Sequence, residues 1–352
     1  MTTKANYWSN TQDVTVYIVT TEQFDKESCY PLDEKVILID LGVNYNRSKS
    51  YFSKENLKKG VLHLKMQKKL FRDLKPDVII SPNLNFDHYW LPFIKGNSRV
   101  IKERHNSRYK EVEMRKNKSL FNKLRFKLND WLDSKYDTIV VLNEDEKNYV
   151  KSGNAFVIPN PIRPQTITAD LINKKVIAAG RISPVKAFDH LIKSWDIVNQ
   201  VFPDWQLDIY GEDYLETQKE LQCLVKYLQL ENVVHFKGSI DDLPKKMIEY
   251  SIYAMTSVTE CFPMVLLEAL SVGLPIVSYD CPNGPRNIII NNNDGLLTEN
   301  QNIKSFAENL KKLIENDNLR MMMGNNAKKN VSRFTIAEVM KKWQSLLNLP
   351  NV

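Results

Sequence analysis

The sequence is poor in the residue patterns that build metal centres, disulfide scaffolds and membrane-spanning helices. It contains four cysteines, none in a CxxC or Cys/His ligand spacing, so we expect reduced thiols in a cytosolic protein. They are Cys29, Cys223, Cys261 and Cys281. No run approaches the roughly 18 apolar residues of a membrane span, and no signal peptide is recognisable. The Asp-x-Asp pattern is also absent, so neither a catalytic metal nor a cofactor is indicated.

Length and composition are those of an ordinary globular protein with more than one core. A chain of 352 residues exceeds the usual size of a single hydrophobic core, which predicts two domains. Hydrophobic residues make up 43% and charged residues 26%, as in typical soluble proteins. The net charge of +7 lies in the first 160 residues, where 28 Lys+Arg face 20 Asp+Glu, against 21 and 22 in the remainder.

Two glutamates eight residues apart mark the start of a predicted helix. In the stretch from Glu260 to Glu268, Pro263 falls at the first helical position, where a missing N–H is tolerated. The free N–H groups and the positive end of the helix dipole there form an anion site. A carboxylate on each side favours a ligand with hydroxyls at both ends and phosphate between them, as in a nucleotide sugar. A capped helix with one solvated glutamate explains the pair equally well.

An earlier segment supplies cations for the same kind of ligand. Residues 176–186 indicate a buried strand, then Gly180, then a basic loop with Arg181 and Lys186, followed by a helix. Glycine lets a ligand approach the backbone, and the two cations can neutralise a diphosphate. Alone, a strand–Gly–Arg turn is common in α/β proteins. Together with Glu260 and Glu268 it favours a binding site.

In this order and spacing, the motifs resemble the signature of family 4 glycosyltransferases, which are retaining enzymes with the GT-B fold. The matching motifs are Gly180-Arg-x4-Lys186, Glu260-x7-Glu268, Asp280-Cys-Pro-Asn-Gly284-Pro-Arg-Asn and Asn293-Asp-Gly295-Leu-Leu. The resemblance is strong over residues 150–345 and weak before them. It says little about which sugar is moved.

The resemblance implies a role for each motif residue. Arg181 and Lys186 would hold the donor diphosphate and stabilise the negative charge that grows as it leaves. Glu260 would accept hydrogen bonds from hydroxyls of the transferred sugar. The donor-binding residues expected from the family are Gly180, Gly238, Phe262, Met264, Val265, Glu268 and Gly284. Among these, Glu268 would bind the ribose hydroxyls, and the N–H groups of Met264 and Val265 would face the phosphate.

The first half of the chain offers one further catalytic candidate. In the sequence Glu103-Arg104-His105-Asn106, related enzymes often place a His or Arg against the donor sugar. We expect His105 in that role, with Arg104 beside it, although a surface or capping histidine fits equally well. Arg286 would lie near the acceptor or the phosphates. Asn287 stands where many similar sequences have Glu, which leaves its role open.

Alternating strand and helix patterns predict two Rossmann-like, doubly wound domains that face each other across a cleft. The predicted strands cover residues 14–20, 35–40, 77–81, 99–102, 138–141, 155–158, 175–179, 206–210, 233–236, 252–255, 275–278 and 296–298. A Pro-rich linker after residue 158 divides an acceptor-side domain (1–160) from a donor-binding domain (161–335). The last helix, about 336–352, is expected to cross back to the first domain.

The beginning of the chain departs from the family pattern. Similar enzymes begin with a buried strand and a Gly-rich turn, whereas residues 1–8 here look like the second half of the following helix. We therefore expect the N-terminal domain to lack its first, central strand, with the recorded start downstream of the true one. A degraded copy is the alternative.

One segment combines basic and apolar residues at helical spacing. The run from Lys118 to Trp131 sets four apolar side chains on one helical face, with three cations between them. The apolar residues are Phe121, Leu124, Leu128 and Trp131, and the cations are Lys123, Arg125 and Lys127. The favoured interpretation is a domain-surface helix whose apolar stripe lies in the core. An anionic membrane surface is the second interpretation, and nucleic acid is a distant third.

Together these patterns predict a retaining glycosyltransferase that moves a sugar from a nucleotide sugar to a lipid-linked glycan or surface polysaccharide. The resemblance favours a UDP-sugar as donor. We expect the protein in the cytoplasm, peripherally at the inner face of the cell membrane, with no nucleic-acid partner. The alternatives are a catalytically silent nucleotide-sugar-binding protein and a GT-B sugar-nucleotide epimerase, which the motif order disfavours.

Overall fold

The computed structural model describes residues 1–24, 26–28, 30–82, 86–116 and 119–348. Parallel strands alternate with helices along the chain, and every predicted strand is found with its ends moved by at most three residues. The strands are β1 (Tyr17–Thr20), β2 (Ile37–Asp40), β3 (Val78–Ser81), β4 (Arg99–Glu103), β5 (Thr138–Val141), β6 (Ala155–Val157), β7 (Lys175–Ala179), β8 (Gln206–Tyr210), β9 (Val234–Gly238), β10 (Ile252–Met255), β11 (Ile276–Tyr279) and β12 (Gly295–Thr298).

Helices connect these strands and cover the faces of the sheets. They are α1 (Thr2–Trp8), α2 (Lys54–Leu74), α3 (Leu91–Ile94), α4 (Tyr109–Lys116), α5 (Leu120–Asp133), α6 (Glu144–Lys147), α7 (Phe188–Asn199), α8 (Thr217–Tyr227), α9 (Leu243–Met247), α10 (Met264–Ser271), α11 (Ile303–Glu315), α12 (Asp317–Asn330) and α13 (Ile336–Leu347). Side-chain caps begin several of them: the Ser53 hydroxyl accepts from the backbone N–H of Asn56 at α2, and the Thr335 hydroxyl accepts from that of Glu338 at α13.

The second half of the chain forms a six-stranded parallel sheet in the order β12-β11-β10-β7-β8-β9. Strands β10 and β11 are buried along their whole length, which explains why their sequences are nearly continuously apolar rather than alternating. Trp195 of α7 and Phe306 of α11 lie in the core on one face. Leu266 of α10 and Ala327 of α12 lie in the core on the other. The sheet is thus covered on both faces, and its carboxyl edge remains for binding.

The first half contains two smaller parallel sheets. Strands β3, β4, β5 and β6 pair in that order, while β1 pairs with β2 in a separate two-stranded sheet. Val14 and Val16, just before β1, lie in one hydrophobic cluster with Val78 and Ile80 of β3. The two sheets therefore share a core, although no pairing joins them within the described residues.

Helix α13 packs on the sheet of the first half rather than on the six-stranded sheet. Trp343 lies in one buried cluster with Ile101 of β4 and Val140 of β5. Its ring meets Trp8 of α1 edge to face, with 5.7 Å between the centroids. These contacts fix both ends of the described chain against the same core.

Glycines at the carboxyl edge of the six-stranded sheet allow three chain segments to approach closely. Gly180 and Gly211 follow β7 and β8 with φ of 151° and 154°, and a Cβ on Gly211 would lie 2.0 Å from the Gly180 carbonyl oxygen. Gly238 ends β9 with φ of 72°, and a Cβ there would meet nothing within 4 Å. Only the first pair is therefore required by packing.

We expect Gly211→Ala to destabilise the second half of the protein by about 2–5 kcal/mol, because the methyl group overlaps backbone at an unfavourable φ. Gly238→Ala is the matched control. Its methyl group would have no close neighbour, so only the left-handed φ of this position should lower the free energy of unfolding, by about 1–2 kcal/mol. Urea unfolding followed by circular dichroism compares the two. Equal shifts of the unfolding midpoint would show that the close approach to Gly180 is unimportant.

The interpretation that the apolar stripe of α5 lies in the core is wrong. Leu120, Phe121, Leu124, Leu128 and Trp131 are all exposed. The helix instead buries Phe126, Leu132 and Asp133. Lys118, at the start of the predicted segment, lies outside the described residues.

Candidate functional site

Three loops meet at the carboxyl edge of the six-stranded sheet. They are the glycine loop (180–186) after β7, the glutamate loop (256–263) after β10 and the proline loop (280–287) after β11. The Val258 N–H donates to the Val185 carbonyl over 3.0 Å, which joins the first two loops. Glu260 forms an isolated parallel bridge with Asn283, which joins the second and third. The fold thus brings the three sequence motifs together.

An ion pair links the glycine and glutamate loops. Lys186 Nζ lies 2.7 Å from Glu260 Oε1, and the two side chains are 20% and 16% exposed. The lysine stem crosses Gly180, where a Cβ would lie 3.1 Å from Lys186 Cε. A larger residue at position 180 would therefore push the ammonium group away from Glu260. The pair leaves Lys186 with donors free for a further anion, since an ammonium group has three.

Gly284 allows the proline loop to pack on the glutamate loop. A Cβ at this position would lie 2.7 Å from Glu260 Cβ and 2.8 Å from Pro263 Cδ. The residue predicted to bind the donor therefore has a clear packing role, because it sets the position of the Glu260 carboxylate.

Glu268, one turn inside α10, is a half-buried carboxylate without a partner. No hydrogen bond or ion pair in the described part of the chain uses its side chain, although its oxygens remain accessible. Burial raises the pKa of this carboxyl above its usual value, and the nearby charge of Asp242 adds to the effect. A carboxylate held in this way needs hydrogen-bond donors, and a ligand with hydroxyl groups would supply them.

The charges of both glutamates act on one buried hydroxyl, that of Tyr253. Burial raises the pKa of its hydroxyl, and the carboxylates of Glu268 and Glu260 raise it further. The hydroxyl donates to the Ala179 carbonyl over 3.0 Å, directly before Gly180. The Tyr253 hydroxyl therefore contacts the end of β7, directly before the glycine loop, and the charges of both glutamates act on it.

Helix α10 begins one residue later than the sequence predicts. Pro263 is the residue before the first helical turn, with φ of −70°, and Met264 is the first helical residue. The N–H groups of Met264 and Val265 have no partner within the helix, as at every helix start. Phe262 is buried, with its ring 5.7 Å from that of Phe334, so its side chain belongs to the core.

Arg181 forms no ion pair with a carboxylate in the ranges that the structure describes. Its guanidinium lies over the ring of Tyr214 at 4.6 Å from the centroid, and the residue is exposed. Stacking of this kind orients the guanidinium while its N–H donors stay free for phosphate oxygens. Gly238, at the end of β9, borders open space.

Contacts between the two halves of the chain converge on Asn283, a residue that the sequence did not single out. Its side chain donates to Glu146 Oε1 over 2.6 Å and to the Ser107 hydroxyl over 2.9 Å, while Tyr149 donates to its Oδ1 over 3.0 Å. Asn143 donates to the Asn283 carbonyl over 3.0 Å. The proline loop therefore carries both the site and the link to the first half. Asn283 adopts a φ of 77°, in the left-handed region that asparagine enters more readily than most residues.

His105 is held by neighbours in its own half. Its Nε2 lies 3.2 Å from Glu103 Oε2, and Glu103 also pairs with Lys4 of α1. Arg104 pairs with the buried Asp133 of α5. Among the described residues, no hydrogen bond or ion pair joins His105 to the three loops. Its catalytic role therefore stays a prediction.

Arg286 and Asn287 have partners of their own. Arg286 Nε donates to Asp280 Oδ1 over 2.8 Å, at the start of the same loop. Asn287 donates to Asp145 Oδ2 of α6 over 2.8 Å, which adds to the contact between the halves. The structure therefore gives Asn287 a bridging position where the sequence left its role open.

The cysteines of the motif loops, Cys261 and Cys281, are buried. Burial raises the pKa of the Cys261 and Cys281 thiols, so both are protonated at neutral pH. In the part of the chain that the structure describes, no group of three or more His, Cys, Asp or Glu residues could hold a metal ion. No described helix is long and apolar enough to cross a membrane. Cys29 lies outside the described residues.

The segment that contains the three loops is similar to a known protein family. Residues 163–330 match the family of glycosyl transferases group 1. An uncharacterised glycosyltransferase of Haemophilus influenzae is 32% identical over 217 residues, which cover 60% of this chain and 61% of that protein. The amylovoran biosynthesis glycosyltransferase AmsD of Erwinia amylovora is 32% identical over 228 residues, which cover 60% and 62%. The chain spans about three fifths of the length of these relatives.

A solved structure shows the same fold across most of the chain. Anabaena Alr3699/HepE, in complex with UDP and glucose, superposes with a TM-score of 0.71 at 19% identity. The match covers 89% of this chain and 86% of that one. At this identity the similarity shows the fold alone. The predicted α/β fold with parallel sheets, of the GT-B type, is confirmed.

Proposed function

We propose that the chain is a retaining glycosyltransferase of family 4 that uses a nucleotide sugar as donor. The observation that carries this proposal is the unpaired, half-buried Glu268 beside the Lys186–Glu260 ion pair, around the free N–H groups that begin α10. These groups complement ribose hydroxyls, a diphosphate and sugar hydroxyls in one ligand. The match of residues 163–330 to a glycosyltransferase family supports it.

Each residue of the site would bind the part of the donor that complements its charge or its hydrogen-bonding groups. Lys186 and Arg181 would bind the diphosphate, with the N–H groups of Met264 and Val265 at the helix start. Glu268 would accept hydrogen bonds from the ribose hydroxyls, and Glu260, oriented by Lys186, from hydroxyls of the sugar. Residues 161–335 would therefore supply the donor side and residues 1–160 the acceptor side.

The proposed chemistry needs no protein nucleophile. The bond between sugar C1 and the diphosphate oxygen breaks, and its electron pair leaves with the diphosphate. The acceptor hydroxyl oxygen bonds to C1 on the same face, and its proton passes to the leaving phosphate oxygen. Lys186 and Arg181 would stabilise the growing charge. Glu260 is already paired with Lys186, which makes it a poor nucleophile for a double displacement.

We propose UDP as the nucleotide and a lipid-linked glycan or polysaccharide as the acceptor, reached from the inner face of the cell membrane. The fold similarity to a UDP complex and the sequence similarity to an amylovoran biosynthesis enzyme support these assignments.

A donor panel tests this function. Purified protein is incubated with UDP-, GDP- and ADP-sugars, with and without a polyprenyl-diphosphate-linked acceptor, and nucleotide release and product anomers are followed by NMR. We expect release that depends on the acceptor, and a product with the anomeric configuration of the donor. An inverted product would overturn the retaining mechanism. Binding without turnover would identify a silent protein, and conversion of the donor without acceptor would identify an epimerase.

Binding of a UDP-sugar is expected to weaken as the pH falls through the raised pKa of Glu268. Burial favours the neutral carboxyl, so protonation begins at a higher pH than for an exposed glutamate, and the protonated form accepts ribose hydrogen bonds poorly. Calorimetric titrations with a UDP-sugar between about pH 7 and pH 5 measure how the affinity changes with pH. Glu268→Gln lacks the titration and serves as the control. The same loss of affinity in both proteins would exclude Glu268 as the titrating group.

A further inference from the structure

Helix α5 turns its apolar side chains to solvent. Phe121 is 73% exposed, Leu124 59% and Trp131 49%, and Leu120 and Leu128 are exposed with them. Residues spaced by three and four positions lie on one face of a helix, so these five side chains form a continuous apolar stripe. A stripe of this kind normally faces a core. Here it faces outward.

Polar contacts on the opposite side hold the helix in this orientation. Asp133 lies 3.2 Å from Lys102 Nζ of β4 and also pairs with Arg104. Asp130 Oδ1 lies 2.6 Å from an Arg115 nitrogen of α4. Rotating the stripe inward would break these pairs and leave buried charges without partners, which is strongly unfavourable. The outward stripe is therefore a stable feature of the fold.

Neighbouring side chains extend the apolar surface beyond the helix. Phe93 of α3, 54% exposed, stacks on Trp131 with 5.7 Å between the ring centroids. Lys135, after the end of α5, lies over the Trp131 ring at 5.3 Å from its centroid. Both an apolar ring and a cation therefore contact Trp131. Aromatic rings beside cations are common where a protein meets the boundary between water and lipid.

Cations that form no ion pair among the described residues border the stripe. They are Lys123, Arg125 and Lys127 of α5, together with Lys135. In the described ranges, no ion pair involves any of these four, whereas both aspartates of α5 are paired inward. The α5 surface, meaning Phe93, the five apolar residues of α5 and these four cations, is therefore apolar at its centre and positive at its border.

We propose that the α5 surface docks on a membrane that contains anionic lipids. Its apolar centre would enter the boundary between headgroups and acyl chains, and its cations would meet lipid phosphates and carboxylates. A second copy of the chain is a poor occupant, because a symmetric contact would bring like charges together. Nucleic acid would satisfy the cations but leave the apolar stripe uncovered. This inference stands whether or not the cleft transfers a sugar.

Vesicle binding tests the proposal directly. Full-length protein is sedimented with vesicles of phosphatidylcholine alone or with about one third phosphatidylglycerol, at low and high salt. We expect binding to the anionic vesicles only, weakened by salt because exposed charges are screened. Quenching of tryptophan fluorescence by lipids brominated on their acyl chains should be seen, and should fall in Trp131→Phe.

Two matched variants distinguish binding through the α5 surface from nonspecific adsorption of the protein to vesicles. The variant Phe121→Ser/Leu124→Ser/Lys123→Glu/Lys127→Glu should lower partitioning at least tenfold, because it removes both apolar area and positive charge. The control Leu215→Ser/Tyr227→Ser/Lys219→Glu/Lys226→Glu changes equally exposed residues elsewhere and should bind as the wild type does. Binding of UDP, or unchanged circular dichroism if UDP does not bind, shows that both variants are folded.

Three outcomes would overturn the proposal. The wild type could fail to bind anionic vesicles, or the α5 variant could bind as tightly as the control. A wild-type dimer that the α5 variant converts to a monomer would assign the surface to a second copy instead.

Discussion

Replacing Lys186 by alanine is expected to lower kcat by about 10²–10³-fold, the usual cost of removing one preorganised donor from a developing negative charge. Lys186 Nζ lies 2.7 Å from Glu260 Oε1, so the substitution has two effects on the site. It removes the cation that we propose for the leaving diphosphate, and it leaves the largely buried Glu260 carboxylate unpaired beside the proposed donor. The remaining cation, Arg181, is exposed on Tyr214 and cannot replace the ammonium group at Gly180.

Matched variants separate this effect from a general loss of charge. Lys193→Ala breaks an exposed pair with Asp189 of the same helix and should leave kcat unchanged. Lys186→Ala/Glu260→Gln removes the uncompensated carboxylate and should recover part of the donor affinity but not kcat. Rates within threefold of wild type in Lys186→Ala would show that this lysine does not stabilise the leaving group.

Replacing Glu268 by alanine is expected to weaken UDP binding by about 100-fold, because two hydrogen bonds to a charged acceptor contribute about 3 kcal/mol together. The structure indicates that this substitution affects binding without affecting stability. Glu268 has no hydrogen-bond or ion-pair partner among the described residues, and burial raises the pKa of its carboxyl. Removing it should therefore not reduce stability, so lost binding cannot be attributed to unfolding.

The control for Glu268 lies nearby on an exposed surface. Glu249 pairs with Lys246 at 2.8 Å, and Glu249→Ala should bind UDP normally. Calorimetry measures affinity, and thermal unfolding measures stability in the same samples. If Glu268→Ala binds UDP as tightly as Glu249→Ala does, the ribose assignment is incorrect.

The sequence predicted the strands of the six-stranded sheet well because parallel strands buried on both faces have nearly continuous apolar runs, as in Ile252–Met255 and, apart from Ser278, Ile276–Tyr279. It also predicted that Gly180, Lys186, Glu260 and Glu268 lie together, since loops at the carboxyl ends of parallel strands share one edge. It could not predict that Lys186 pairs with Glu260, because side-chain pairing across 74 residues depends on loop packing at Gly180 and Gly284.

The orientation of α5 is where sequence reasoning failed most clearly. Its periodicity fixes which residues share a face but does not say which face is buried. The buried cations Lys102 and Arg104 decide this by pairing with Asp133, and that contact joins residues far apart in the chain. The link through Asn283 was missed for a similar reason, since an asparagine in a loop has no pattern that reveals its partners.

The central claim is that the three loops form a nucleotide-sugar site, and calorimetric titration of the protein with UDP tests it most directly. We predict one site per chain with a dissociation constant in the range from about 1 μM to 1 mM that is usual for enzyme substrates, and at least tenfold weaker binding of UDP to Glu268→Ala. Absence of UDP, GDP and ADP binding, or equal binding by Glu268→Ala, would contradict the claim.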